Sequence, residues 1–294
     1  MLVTMKEILD VANEQNYAVA APNVISEIDG RAALETAEDL NAPLILDISW
    51  RGTMDLEFVG SYMTRLADQA SVPVAINMDH GKDFAQCIHA IRAGFTSLMV
   101  DRSTLPFEQN IAEVAEIVRI AHAVNVSVEA ELGHVEEGCL YDVAREKGLT
   151  DPAQAREFVE RAGVDCLAVA VGTAHGSYKG EPRLDFDRIT AIKKEVNIPL
   201  VIHGASGTGE DKLAQACRLG INKVNVSCDL LRAASIEIEN HDNTFDGAYD
   251  LWKLIQKGYK RRLGEYIRLF GSDGKAWTAP HSKLFRKKWG MREV

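Results

Sequence analysis

Eight short runs of apolar and β-branched residues recur along the chain, and their spacing restricts its fold more than any other feature. The runs are residues 18–24, 44–48, 74–78, 98–100, 126–132, 167–171, 200–202 and 224–226. Neighbouring runs are separated by about the length of one helix with its turns, and most are almost continuously apolar rather than alternating. Strands of this kind are buried on both faces, as in a parallel sheet that helices cover. The pattern therefore predicts repeated strand–helix units.

Amphipathic segments between these runs predict an outer layer of helices. The clearest are residues 30–40, 83–93, 108–123, 152–161, 187–196 and 210–219, with a longer one at 249–270. Eight units favour a closed (β/α)8 TIM barrel, although strand–helix alternation alone also permits an open doubly wound sheet. We expect one barrel domain over residues 1–272 and a basic C-terminal extension over residues 273–294.

Length and composition exclude several classes of protein. A chain of 294 residues is within the range of single-domain barrels. Its net charge of −10 disfavours nonspecific binding to nucleic acid or anionic membranes, and no stretch approaches the ~18 apolar residues of a membrane span. Five scattered cysteines without a Cys-x-x-Cys pair argue against a disulfide framework. The N-terminus does not resemble a signal peptide, so we expect a cytoplasmic protein.

Three histidines stand where predicted strands end. His80 follows the third strand, His175 the sixth and His203 the seventh. In a closed barrel the carboxyl ends of all strands meet on one rim, where active sites are found. A single histidine there could be purely structural, but three imidazoles with one open position form a catalytic divalent-metal site, most naturally for zinc. We therefore predict a metal centre on this rim.

Carboxylates accompany the histidines. Asp79 directly precedes His80, and in a strand the two side chains would point to opposite faces, so only a sharp turn, which Gly81 would permit, brings both into one site. Asp79 would then move a proton as general acid or base, or else orient an imidazole. Asp101 and Glu131 end the fourth and fifth strands. We expect these two acids to support the metal ligands or to form hydrogen bonds with the neighbouring loops.

Turns of small residues end three of the later strands and predict a phosphate site. They are residues 172–176, the Gly-Ala-Ser-Gly turn at 204–207, and Asn-Val-Ser-Cys at 225–228, which leads into a helix. Barrel enzymes often hold phosphate in the loops after the seventh and eighth strands, with backbone N–H groups and a helix N-terminus. We therefore expect a phosphorylated small molecule beside the histidines.

Longer motifs add a family resemblance. They are Met-Asp-His at 78–80, Ala-Gly-Phe-Thr-Ser-Leu-Met-Val-Asp at 93–101, Val-Glu-Ala-Glu-Leu-Gly at 128–133, Ala-Val-Ala-Val-Gly-Thr-Ala-His-Gly at 168–176, Pro-Leu-Val-Ile-His-Gly at 199–204 and Gly-Ile-Asn-Lys-Val-Asn-Val at 220–226. With these motifs, which span about residues 6–274, the chain resembles the metal-dependent class II ketose-bisphosphate aldolases, the group of the fructose- and tagatose-1,6-bisphosphate aldolases. The resemblance implies retro-aldol cleavage of a phosphorylated ketose to an aldehyde and dihydroxyacetone phosphate.

The resemblance also implies roles for individual residues. It implies zinc on His80, His175 and His203, with Asp79 carrying the proton of the hydroxyl next to the bond that is cut. A glutamate on the loop after the fifth strand, Glu136 or Glu137, would move the carbon-bound proton. The ketose phosphate would be bound, with a monovalent cation (Na⁺ or K⁺) nearby, by Gly176, Lys179, Gly204, Ser206, Asn225 and the residue at the position of Cys228. Family members are homo-oligomers, so a homo-dimer or homo-tetramer is expected.

Several positions depart from the family pattern. Ala205 replaces the second glycine of a Gly-Gly-Ser turn, Cys228 replaces a phosphate-binding threonine, and Arg102 replaces a glycine. The loop after the fifth strand is short, which leaves the choice between Glu136 and Glu137 open. A thiol cannot reproduce the hydrogen bond of a hydroxyl to phosphate, so an aldolase for another phosphorylated sugar or sugar acid is the main alternative. A zinc metallohydrolase and a non-catalytic partner subunit are further alternatives.

Overall fold

Eight parallel strands form the centre of the structure. The computed structural model describes residues 1–50, 52, 55–135, 148–176, 178, 180–242, 244–245 and 247–277. The strands are β1 (Val19–Pro22), β2 (Leu44–Ser49), β3 (Val74–Gly81), β4 (Ser97–Val100), β5 (Ser127–Leu132), β6 (Cys166–Val169), β7 (Leu200–Ile202) and β8 (Ile221–Val226). Each coincides with one of the eight apolar runs.

The strand order closes the sheet into a barrel. The order is β1-β8-β7-β6-β5-β4-β3-β2, and all seven neighbouring pairs are parallel. The two end strands meet through a parallel bridge between Asn23 and Asp47, where the Val24 amide donates to the Asp47 carbonyl at 2.9 Å. The predicted (β/α)8 barrel is thereby confirmed, and the open doubly wound sheet is excluded.

Helices cover the outside of the barrel. The described helices are α1 (Met5–Gln15), α2 (Glu27–Asp39), α3 (Leu56–Gln69), α4 (Phe84–Ala93), α5 (Phe107–Ala123), α6 (Pro152–Ala162), α7 (Phe186–Glu195), α8 (Glu210–Arg218), α9 (Cys228–Glu239) and α10 (Ala248–Phe270). The amphipathic pattern did not single out α1 or α3. Local chemistry starts both: Thr4 and Glu7 form a reciprocal capping box at α1, and the Asp55 side chain caps α3.

The α1 helix fills the amino-terminal end of the barrel. Its Met5, Ile8 and Leu9 are fully buried in one cluster with inward-facing strand residues such as Ile45 and Val201. A larger cluster packs the outer face of the strands against the helices. Because apolar side chains seal one end, polar side chains that point inward are gathered toward the carboxyl ends of the strands, where barrel enzymes have their active sites.

The first residues of the C-terminal extension lie on the barrel. The Gly274 and Ala276 amides donate to the Leu40 and Asn41 carbonyls, each at 2.9 Å, and Trp277 packs against the cluster around α1. Residues 278–294 lie outside the described residues, so the domain boundary at 272 stays a prediction. In the described part of the chain, no helix is long and apolar enough to cross a membrane.

Candidate metal centre and active site

The end of β3 brings two consecutive functional side chains to one place. His80 adopts the left-handed conformation, with φ of 54°, and the pairing of β3 with β4 shifts register between Met78 and Gly81. As a result Asp79 Oδ1 lies 3.8 Å from His80 Nε2. The sharp turn expected at Gly81 is therefore made by His80 itself. This conformation costs a non-glycine residue on the order of 1–3 kcal/mol, and such strain is typical of functional sites.

Gly81 contributes close packing. A Cβ atom built on Gly81 would lie 2.2 Å from the Met78 methyl carbon and 2.9 Å from the Met99 carbonyl oxygen. Any side chain at this position would therefore force β3 away from β4. The glycine permits the close approach of the two strands, whereas the turn depends on the neighbouring histidine.

The three predicted histidines form one cluster. The ring centroid of His80 lies 4.9 Å from that of His175 and 4.7 Å from that of His203. The centroids of His175 and His203 are 5.7 Å apart. Each ring offers a nitrogen within 4.8 Å of those of the other two. The Nε2 atom of His80 is buried and has no hydrogen-bond partner among the described residues. A buried nitrogen of this kind requires an explanation, and a metal ion bound by three imidazoles provides one.

Hydrogen bonds to carboxylates hold two of these rings. His80 Nδ1 lies 2.9 Å from Asp101 Oδ2, and His203 Nε2 lies 2.8 Å from Glu129 Oε1. The opposite nitrogens, His80 Nε2 and His203 Nδ1, lie 3.8 and 3.9 Å from the same oxygen, Asp79 Oδ1. Metal-binding histidines usually carry such carboxylate partners on the nitrogen that does not bind the ion. The donor set therefore fits a divalent cation.

The two acids expected to support the metal lie on the β4 and β5 side of His80. Asp101 accepts hydrogen bonds from the Ser103 hydroxyl at 2.7 Å and the Ser103 amide at 3.2 Å. Glu131 accepts from the Val135 amide through Oε1 at 2.9 Å, whereas its Oε2 is buried without a partner among the described residues. His80, Asp101 and Glu131 form a second group close enough to share an ion. The structure thus brings both acids to the histidine cluster.

Charges within the cluster change the protonation of its members. Burial, together with the neighbouring His203 and His80 rings, lowers the pKa of His175 to about 3, so this ring is neutral near pH 7. Burial raises the pKa of Asp79, but His80, His203 and Lys223 outweigh it and lower that pKa to about 2. Asp79 is therefore an ionised carboxylate. A neutral imidazole and a carboxylate are the forms that bind cations.

Two asparagines hold the Asp79 carboxylate. Asn23 donates to Oδ2 at 2.9 Å, and Asn225 donates to Oδ1 at 3.3 Å. Asn225 was expected as a phosphate ligand, and its Oδ1 is buried without a partner among the described residues. Asn23, just after β1, was not predicted as a site residue. Its only sequence signal is its place at the carboxyl end of a strand, a place that it shares with many loop residues.

The predicted phosphate residues line a cavity next to the histidines. Ser206 Oγ accepts the amides of Ser227 and Asp229 at 3.4 and 3.2 Å, at the start of α9. Its hydroxyl proton stays available for an acceptor such as phosphate. The lining residues are Asn23, Asp79, His175, Gly176, His203, Gly204, Ala205, Ser206, Asn225, Ser227 and Cys228. The structure therefore gathers Gly176, Gly204, Ser206, Asn225 and Cys228 in one place.

Close contact between two loops forms one wall of this cavity. Gly204 has φ of 67°, and a Cβ there would lie 2.2 Å from the Ala174 carbonyl oxygen. The Tyr178 hydroxyl accepts the Ala174 amide at 2.7 Å and donates to the Gly204 carbonyl at 2.8 Å. Tyr178 therefore joins the loop after β6, which carries His175, to the loop after β7. Sequence reasoning did not identify this tyrosine.

Arg102, which departs from the family pattern, has a structural role. Its buried guanidinium donates through Nε to Glu113 at 2.6 Å, and through Nη1 to the carbonyls of Gly81 and Asp101 at 3.2 and 3.1 Å. It thus ties the ends of β3 and β4 to α5. Because its donors are used in this way, Arg102 braces the metal centre from outside.

Three predicted site residues lie outside the described residues. They are Glu136 and Glu137, on the loop after β5, and Lys179, on the loop after β6. Their roles stay predictions. The four described cysteines, including Cys228, are free thiols.

Comparisons with known proteins show which proteins this chain is similar to. Residues 3–275 match the family model described as class-II fructose-bisphosphate aldolase. YdjI of Escherichia coli (strain K12) is 39% identical over 269 residues, 90% of this chain and 96% of YdjI. A Bacillus subtilis (strain 168) protein, described as "Probable fructose-bisphosphate aldolase", is 38% identical over 294 residues, 94% of this chain and 99% of the relative. The crystal structure of the Escherichia coli K12 YdjI aldolase has a TM-score of 0.85 at 35% identity, and the match covers 94% and 100% of the two chains.

Proposed function

The chain belongs to the class-II fructose-bisphosphate aldolase family, and from that premise we propose that it is a zinc-dependent carbon–carbon lyase. The proposed reaction is retro-aldol cleavage of a phosphorylated ketose to dihydroxyacetone phosphate and an aldehyde. The observation that carries the proposal is the cluster of His80, His175 and His203, with the orphaned His80 Nε2 beside the ionised Asp79. Three imidazole nitrogen donors with an open position suit zinc. When bound, the cation would supply Lewis-acid polarisation of the substrate carbonyl.

Asp79 carries the proton transfer in this proposal. It accepts the proton of the hydroxyl on the carbon that becomes the aldehyde, as the adjacent carbon–carbon bond breaks. Asn23 and Asn225 hold the carboxylate from both oxygens, which limits its rotation. Protonation of the carbon left behind is assigned to Glu136 or Glu137. One carboxyl group thus takes the proton from the hydroxyl, and a different one delivers a proton to carbon.

The phosphate end of the ketose is assigned to the loops after β6, β7 and β8. Gly176, Gly204, Ser206 and Asn225 line the cavity beside the metal centre, and the N-terminus of α9 opens onto it. Cys228, at the first turn of α9, offers a thiol where the family has a hydroxyl. We extend the assignment to Lys179 and to a monovalent cation, Na⁺ or K⁺, near the phosphate. The remainder of the ketose, and hence the aldehyde product, is left open.

A cleavage assay tests the proposal. Zinc-reconstituted protein is incubated with fructose and tagatose 1,6-bisphosphates and a panel of ketose 1-phosphates and phosphorylated sugar acids, and dihydroxyacetone phosphate is detected enzymatically. We expect release from at least one compound, lost on chelation and regained with zinc. Zinc-loaded protein that releases no dihydroxyacetone phosphate from any compound would contradict the proposal.

An Asp79→Asn variant tests the role of the carboxylate. We expect the turnover rate to fall by about 10²–10⁴-fold because a positioned acid–base group contributes that much, while bound zinc stays stoichiometric. Asp187→Asn, which changes an exposed carboxylate on α7, is the control and should keep full activity. Unchanged turnover in Asp79→Asn would remove this residue from the mechanism.

Assembly is the remaining element of the proposal. We propose a homo-dimer or homo-tetramer in the cytoplasm, without nucleic-acid or membrane partners, on the basis of the family and the charge of −10. Light scattering coupled to gel filtration measures the mass directly. A mass equal to one chain of 32.4 kDa would contradict the oligomer.

A further inference from the structure

A buried network of charged side chains lies directly beneath the metal centre. Asp47 on β2, Glu129 on β5 and Lys223 on β8 point into the barrel, and each is completely buried. Lys223 Nζ lies 2.8 Å from Glu129 Oε2 and 3.4 Å from Asp47 Oδ2. Asn77 on β3 donates to the other oxygen of Asp47 at 2.8 Å. The proposed chemistry uses none of these four residues.

Stability alone does not explain this network. Removing charges from water costs several kcal/mol per ion, and a buried ion pair often stabilises a protein no better than apolar side chains of the same volume. The surrounding strand positions are filled by apolar residues such as Ile45 and Val201. A charged network at this depth therefore indicates a second task besides packing.

Glu129 connects this network to the histidine cluster. One of its oxygens, Oε2, pairs with Lys223, and the other, Oε1, lies 2.8 Å from Nε2 of His203. An ionised carboxylate can only accept hydrogen bonds, so His203 Nε2 must carry the proton. In the neutral ring, Nδ1 then holds the lone pair, and Nδ1 is the nitrogen that lies 3.9 Å from Asp79 Oδ1 at the metal centre.

We propose that Glu129, whose other oxygen is held by Lys223, is a positioning residue that selects the His203 tautomer with Nδ1 facing the metal centre. The proposal rests on the metal centre of the proposed function. Asp101 contacts Nδ1 of His80 and leaves Nε2 facing the cluster, so the two histidines would hold the metal through different nitrogens. Asp47 contacts the same lysine but no ligand imidazole, so a change at Asp47 alters the surroundings of Lys223 and leaves the partner of His203 in place.

Zinc affinity separates an effect on His203 from a general disturbance of the buried network. Apo protein is titrated with zinc against a chromophoric chelator, for wild type, Glu129→Gln and Asp47→Asn. Both variants replace a buried carboxyl group next to Lys223 with an amide of the same shape, but only Glu129→Gln changes the partner of His203. Because partners of this kind are worth about 10–100-fold in metal affinity, we expect that loss for Glu129→Gln and at most a few-fold change for Asp47→Asn. Lys223→Met should also weaken zinc binding because it removes the cation that compensates Glu129.

Two results of this titration would overturn the proposal. One is an affinity of Glu129→Gln equal to that of wild type. The other is an equal loss in Glu129→Gln and Asp47→Asn, which would trace the effect to their shared contact with Lys223 and not to His203. If wild-type protein binds no zinc, the proposed function fails and this inference fails with it. If zinc binding is normal but the variants match each other, only the inference fails.

A second measurement needs no variant. Wild-type protein labelled with ¹⁵N in histidine is loaded with ¹¹³Cd²⁺, and scalar coupling between the metal and nitrogen identifies the ligating atoms. We expect coupling to Nδ1 of His203 and to Nε2 of His80. Coupling to Nε2 of His203 would overturn the proposal even if Glu129→Gln does not fold.

Discussion

Lys193 shows what a single partly buried charge does far from the metal centre. Its Nζ donates to Asn13 Oδ1, Asn222 Oδ1 and the Ile198 carbonyl at 2.5, 3.0 and 3.2 Å, at the amino-terminal end of the barrel. No carboxylate in the described ranges lies within ion-pair distance of it. Burial therefore lowers the pKa of Lys193 to about 8.

This shift predicts a specific dependence of stability on pH. Between the folded pKa of about 8 and the ordinary value of 10.5, the unfolded chain binds more protons at Lys193 than the folded one. The penalty for burying the charge is full below pH 8 and disappears as the pH rises, so Lys193 contributes increasing stability over this window. We therefore expect the melting temperature of wild type to rise relative to that of Lys193→Met from pH 8 to 10.5.

The control is Lys194→Met, which removes the exposed neighbouring lysine. Differential scanning calorimetry at several pH values gives all three curves, and subtraction cancels the other groups that titrate at high pH. A wild-type minus Lys193→Met difference that stays flat, or one that Lys194→Met reproduces, would contradict the assignment.

The loop after β6 shows how one hydroxyl organises an element without regular structure. Tyr178 contacts Ala174 and Gly204 and lies 3.3 Å from the Thr208 hydroxyl, so it links three points of two loops. Ala174, whose amide makes this hydrogen bond, is buried and directly precedes His175. The position of His175 therefore depends on a tyrosine three residues further along the chain.

Tyr178→Phe tests this link. The change leaves the Ala174 amide without its acceptor, which costs on the order of 1–3 kcal/mol for a buried group. We expect a lower free energy of unfolding in urea. We also expect a higher KM for the phosphorylated substrate, because the loops after β6 and β7 are no longer held together. Tyr249→Phe, at a residue whose exposed fraction is 73%, is the control and should change neither quantity. An unchanged KM would assign Tyr178 to stability only.

At the scale of the whole molecule, the metal centre joins distant parts of the barrel. The three histidines come from the end of β3, the loop after β6 and the end of β7. In the unfolded chain these ligands are far apart, so a cation bound by all three favours the folded state.

Metal removal should therefore destabilise the protein. At free zinc 100 times above its Kd, linkage predicts about 2.7 kcal/mol of added stability, which chelation would remove. Calorimetry with zinc and with chelator measures this as a shift in melting temperature. His175→Ala should abolish most of the zinc-dependent shift, whereas His89→Ala, at a histidine paired with Glu57 on the surface, should keep it. An equal shift in all three proteins would place zinc elsewhere.

The sequence by itself determined the barrel and the neighbourhood of the site. Eight buried strands at one strand–helix spacing leave few ways to close a sheet, and residues at strand ends share one rim because parallel strands all end there. His80, His175 and His203 could therefore be grouped before any distance was known. The same argument from strand ends predicted roles for Asp79, Asp101 and Glu131, which the structure brings to the same cluster.

Only the tertiary structure decided how those residues are held. Glu129 contacts His203, 74 residues away in the chain, and Lys223, 94 residues away. The local sequence pattern predicts neither contact, because a charged residue in a strand could equally lie on an exposed face. The left-handed turn at His80 depends on a register shift against β4, which depends on how two strands pack. Periodicity determines which face of a strand is buried, whereas the partner across the barrel depends on strand stagger and side-chain reach, which exist only in the folded chain.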